Sequence, residues 1–213
     1  MDNFLIYSGY LVLLLNLILY TYSFFLREKA NVFFTVYVVF LCVIQFTMEL
    51  LYRFQIENLF FVNTYFIGQM VLLGLFYKSI LGLKRQKAFV NWSLTLMLFV
   101  LAVQCLINTE QFFKFNLFAI TATSLLSVVY ALLHFYNMLT DDRKYYYFTV
   151  GLSSYLLVST VLFLVGNLTL GLSDDLKYFT WRLNAFFVLL YYLFILYEWK
   201  VSFNPKNKIN NQI

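Results

Sequence analysis

A carboxylate inside a long apolar run is costly to place in hydrocarbon, so Glu49 is the first residue whose chemistry needs a reason. Gln45 lies one helical turn before it and Arg53 one turn after, which puts all three on one face. Asn63 and Gln69 follow in the next apolar run, and Gln104, Asn167, Arg182 and Asn184 fall in those halves of later runs that return to the same side. Gathered together, these side chains would line a polar pocket in which Glu49 pairs with Arg182 or with a cationic group of a ligand. The plainer reading is that charges near a membrane surface reach water along their own stems while amides join neighbouring helices.

The other reactive residues point to less. His134 is the only histidine, beside Asn137 near the end of a run, and no second ligand at helical spacing offers a metal or haem site. A structural histidine is expected there. Asp141 with Asp142, and Asp174 with Asp175, read as solvated turns beside basic residues. Cys42 and Cys105 have no CxxC partner and behave as small hydrophobes. Thr121, Thr123, Ser124 and Ser127, and later Ser153, Ser154, Ser159 and Thr160, are expected to permit close packing and to bond between helices. There is no G-x-S-x-G, H-E-x-x-H or glycine-rich phosphate loop. No catalytic set, cofactor or metal is expected.

The elements that carry these residues follow from composition. The chain is 62% hydrophobic and only 12% charged, far from a soluble domain. Apolar runs near 4–26, 32–52, 59–83, 89–108, 115–139, 146–170 and 179–200 are each about long enough to cross a bilayer as helix. Helix is forced because lipid offers backbone groups no hydrogen bonds. The chain is therefore expected to be an all-α, polytopic membrane protein of seven spans, forming one domain over 1–203 with a short polar tail at 204–213. The first run lacks a basic leader and a small-residue cleavage site, and reads as a retained helix.

Basic residues set the expected orientation. Arg27, Lys29, Lys78, Lys84, Arg85, Lys87, Arg143, Lys144, Lys200, Lys206 and Lys208 fall on one side; Arg53, Lys114, Lys177 and Arg182 fall on the other. The N-terminus is accordingly placed outside and the C-terminus in the cytoplasm. Trp92, Trp181 and Trp199 fall near run ends, where interfacial aromatics belong. The net charge of +5 is scattered through short loops, so nucleic acid is not an expected partner.

Seven spans can be built as three, a linker and three more. Leu75-Phe76-Tyr77 with Ile80-Leu81 matches Leu190-Tyr191-Tyr192 with Ile195-Leu196 at constant offset, a faint repeat signal. The only proline, Pro205, lies beyond the last run, unlike the proline-interrupted helices of many carriers. A retinal protein would need a lysine midway along the last run, where Leu190, Tyr191 and Tyr192 stand instead.

Met48-Glu49-Leu50-Leu51-Tyr52, the short loop after it and Leu75-Phe76-Tyr77-Lys78 together resemble a group of bacterial seven-helix inner-membrane proteins of this length. The resemblance implies the membrane fold and brings no activity with it. The expected function is a non-enzymatic membrane subunit or sensory adaptor, in contact with the lipid bilayer and with a membrane or cytoplasmic protein partner. Two alternatives stand beside it: a receptor or carrier with a periplasm-facing pocket around Glu49, and an intramembrane enzyme acting on lipid.

Overall fold

The computed structural model describes residues 2–27, 30–139, 144–168 and 174–203. Lys29, Asp141, Asp142, Arg143, Lys206, Lys208 and the tail 204–213 lie outside them, as do the side chains of Arg27, Asp174, Asp175 and Lys177. The helices are α1 (Asp2–Arg27), α2 (Val32–Arg53), α3 (Leu59–Ile80), α4 (Lys84–Ile107), the short α5 (Glu110–Phe113), α6 (Leu117–Asn137), α7 (Tyr146–Leu168) and α8 (Asp174–Ser202). Seven of them, all but α5, are long and apolar enough to cross a bilayer, so the chain is an all-α, multi-pass membrane protein.

Helix ends depart from the apolar runs because hydropathy marks depth in lipid and not where the backbone turns. Leu81 is already extended at ψ 135°, so α3 stops at Ile80 and residues 81–83 make the turn. Lys84, Arg85 and Lys87, expected in a loop, form the first turns of α4. Asn31 caps α2, its side-chain oxygen accepting from the Phe33 and Phe34 amides, and Asn116 caps α6 through the Ala119 amide.

Helix α1 packs against α2, α2 against α3, α3 against α6, α6 against α7, and α7 against α8, which returns to α1. Six spans thus close a ring in chain order, while α4 lies outside it against α3 and α6. Consecutive spans alternate in direction, so leaving α4 out makes the α3/α6 and α8/α1 neighbours parallel. Advancing three ring positions carries α1 to α6, α2 to α7 and α3 to α8 and leaves the neighbour pattern unchanged. The faint sequence match falls on α3 and α8, which this operation relates, and Phe76, Tyr77, Tyr191 and Tyr192 are all buried.

Aromatic side chains fill the ring. Phe34 is fully buried, with the rings of Tyr20, Tyr37, Phe76, Tyr145 and Phe148 around it at centroid distances from 4.6 to 6.3 Å. Most hydroxyls in α6 and α7 turn back on their own helices rather than across to neighbours. Thr123 donates to the Ala119 carbonyl, Ser127 to Thr123, and Ser153 to Thr149. Ser159 instead donates across to Asn184 of α8, and the Tyr130 and Tyr155 hydroxyls reach α4 and α3.

Candidate functional site

At the rim where α1 begins, Glu49 is held from two sides. One carboxylate oxygen accepts from Arg53 Nε at 2.8 Å and the other from the Tyr10 hydroxyl of α1 at 2.8 Å. Gln45 reaches the same hydroxyl at 3.5 Å. The ion partner of Glu49 is therefore Arg53 on its own helix, in place of the Arg182 pairing anticipated from the sequence.

The remaining anticipated residues are distributed around the bundle. Asn63 donates to the Phe112 and Lys114 carbonyls and accepts from the Asn116 amide, pinning the α5 segment to α3. Gln104 donates to Gln111 of α5 and shares with Asn63 a cavity of only about 20 Å³. Asn184 joins α8 to α7, and Asn167 and Arg182 lie exposed at the rim. Gln69 points into the ring and donates to the Tyr37 hydroxyl at 2.7 Å, which shares a 2.7 Å hydrogen bond with Tyr191. Tyr155 stacks on Tyr191 with planes 10° apart. Gln45 is brought to Glu49 through the Tyr10 hydroxyl, and Asn63 to Gln104.

Among the described residues, the most heavily bonded carboxylate is at the opposite, basic rim. Glu198 in α8 is fully buried and receives the backbone amides that open α7. Tyr145 N–H donates to one oxygen at 2.8 Å; Tyr147 and Phe148 donate to the other at 2.9 and 3.4 Å. Ser202 donates as well, from one turn on. The first amides of a helix have no partner within it and its dipole favours negative charge there, so α8 supplies the cap that α7 lacks.

Tyr145 is the hub of this rim. It adopts φ 64°, a left-handed conformation rare for a bulky residue, which the surrounding contacts hold in place. Its hydroxyl accepts from the Asn31 amide at 2.9 Å, and Asn31 Nδ2 donates to Ser79 at the end of α3. The Lys144 carbonyl accepts from His134 Nε2 at 3.1 Å, and the Lys144 ammonium lies over the Tyr145 and Phe203 rings. Helices α2, α3, α6, α7 and α8 thus meet at one turn. Burial pushes the Tyr145 phenol above its ordinary range; the Asn31 bond partly offsets this and the Glu198 charge adds to it. Since the folded-state value is the higher, this contribution to stability is complete below about pH 10 and is lost as pH rises further.

Sequence reasoning passed over Glu198. An ionisable residue in the last apolar run was the available signal, but Trp199 and Lys200 beside it made the segment look like an ordinary interfacial end. His134 bonds the Lys144 carbonyl, and Asn137 exchanges two amide hydrogen bonds with Gln86, fastening α4 to α6. Among the described residues no three His, Cys, Asp or Glu side chains gather as a metal site would require.

A groove of about 750 Å³ runs along α8 between α1 and α7, and α4 presents an apolar face away from the ring. No family model matches the chain, and no curated protein and no solved structure matches it.

Proposed function

We propose that this protein is a non-enzymatic membrane subunit, seated in a bacterial inner membrane with its basic rim in the cytoplasm, that docks a membrane-spanning helix of a partner protein along α4. The observation that carries this reading is the outer face of α4. Phe89, Trp92, Leu96, Phe99, Val103 and Leu106 are all exposed and follow one another at alternating spacings of three and four, the period of a helix–helix seam. Trp92 is 75% exposed and Leu106 83%, so the ring leaves this stripe open. Ala88, Asn91, Thr95 and Ala102 run beside it as small or short side chains, suited to receive knobs from another helix.

The first turns of α4 add a charge preference. Lys84, Arg85 and Lys87 stand where the helix dipole disfavours positive charge, and no acidic residue shares that turn. A partner with acidic residues at the same rim relieves both. Arg53 and Tyr10 already occupy the Glu49 carboxylate, which supports this reading over a ligand pocket built on it.

Photo-crosslinking in native membranes tests the proposal. A benzophenone side chain at Leu96 is expected to give one discrete adduct, while the same group at Val129 on the outer face of α6 gives a diffuse background. Adduct yield at Leu96 should fall about tenfold in Lys84→Glu/Arg85→Glu. Equal labelling at both positions, or a yield indifferent to the charge reversal, overturns it. An adduct between two copies of this chain would make α4 a homodimer interface instead.

A further inference from the structure

A lysine borders the docking stripe of α4, and its hydrogen-bond partner is neutral. Lys78, in the last turn of α3, donates from Nζ to the side-chain oxygen of Asn91 at 2.8 Å. Asn91 is exposed and stands beside the stripe, with Ala88 one turn before it and Thr95 one turn after. Among the described residues no carboxylate pairs with Lys78. Glu49 and Glu110 hold Arg53 and Lys114 at the opposite rim, and Glu198 holds the α7 amides. Given a helix docked along α4 as proposed above, we infer that it carries an Asp or Glu within its span, whose carboxylate takes the Lys78 ammonium from Asn91.

A lysine near a helix end can reach water along its own stem, and a cation in the last turn suits the dipole of α3. Neither effect accounts for where this ammonium is held. Asn91 lies two turns into α4, about 10 Å along the axis from Lys84. The ammonium is thus turned inward onto α4, away from the rim where Lys84, Arg85 and Lys87 stand. A charge within a spanning segment is costly unless it is paired. The Asn91 oxygen answers one of the three ammonium protons and leaves the charge, whereas a carboxylate answers both. Ala88 and Thr95 are small, so a helix on this flank comes close enough to α4 for a short acidic side chain to reach Nζ. A lipid phosphate belongs at the rim, two turns away.

The benzophenone at Leu96 in native membranes reads the docked partner, and substitutions at the pair read its chemistry. Lys78→Gln, which removes the charge, is expected to lower the adduct yield about tenfold, while Lys78→Arg keeps it. Asn91→Ala breaks the same hydrogen bond without removing the charge, and should leave the yield unchanged or higher. Dicyclohexylcarbodiimide joins an apposed amine and carboxylate with loss of water. In parent membranes it should link Lys78 to an Asp or Glu of the partner, read by mass spectrometry of the joined peptides, and it should form no such link in Lys78→Arg. A yield indifferent to Lys78→Gln, an equal fall in Lys78→Gln and Asn91→Ala, or no peptide joined through Lys78 overturns the carboxylate assignment and leaves the docking on α4 in place. Absence of a discrete Leu96 adduct in the parent chain overturns both.

Discussion

The two notable carboxylates are held with different strictness, and that difference is measurable. Glu198 is fully buried, and three of its donors are backbone amides that open α7. In Glu198→Gln an amide NH2 would face N–H donors, leaving at least one of their hydrogen bonds unmade around a buried side chain, at a cost of about 2 kcal/mol. Glu49 lies at an exposed rim, and Glu49→Gln keeps an acceptor for Tyr10, so a change within about 0.5 kcal/mol is expected. Unfolding in a graded denaturing detergent should therefore separate the two variants clearly. Equal losses would mean that Glu198 does not cap α7. The sequence pointed to Glu49 because a lone acid in an apolar run is conspicuous. It could not distinguish an acid that ends at water from one folded over the start of another helix, since that depends on which helices become neighbours.

At the level of helices, close approach is concentrated in a few places. A Cβ on Gly151 would lie 2.4 Å from the Cβ of Phe194, an atom fixed to the α8 backbone, so Gly151→Ala must push α7 and α8 apart. The expected cost is about 1–3 kcal/mol, typical of overpacking. Gly9 in α1 has nothing within 4 Å of the corresponding position, and Gly9→Ala should be neutral or stabilising by up to about 1 kcal/mol. Thermal melts of the two variants read the contrast directly, and a tolerated Gly151→Ala would show that the α7/α8 seam is looser than described. The spans themselves were legible in the sequence, because run length and apolarity are what the bilayer demands. Their ends were less so: α4 draws its first turns from Lys84 to Lys87, and α5 is a four-residue helix with no apolar run to announce it.

Across the whole molecule, the ring order could not be read from the sequence, although the alternation that makes α4 the odd span could. Closure depends on α8 returning to α1. Asn16 donates to the Tyr192 carbonyl at 2.8 Å, Tyr20 to Ile195 at 3.1 Å, and Trp199 to Leu19, so the seam is bonded along much of its length. Two free cysteines report on this arrangement from different positions. Cys42 is buried in the ring, its thiol directed at the Leu13 carbonyl of α1, whereas Cys105 is partly exposed on α4. A small maleimide in mild detergent should label Cys105 readily. Cys42 should react only as fast as the ring opens, because α1 must leave α2 before its sulfur is reached. Adding denaturing detergent should then raise Cys42 labelling together with loss of the folded state, while Cys105 labelling changes little. If Cys42 reacted as fast as Cys105 under folding conditions, the α1/α2 contact would not be the closed one described, and the distinction between a six-helix ring and a peripheral α4 would fall with it.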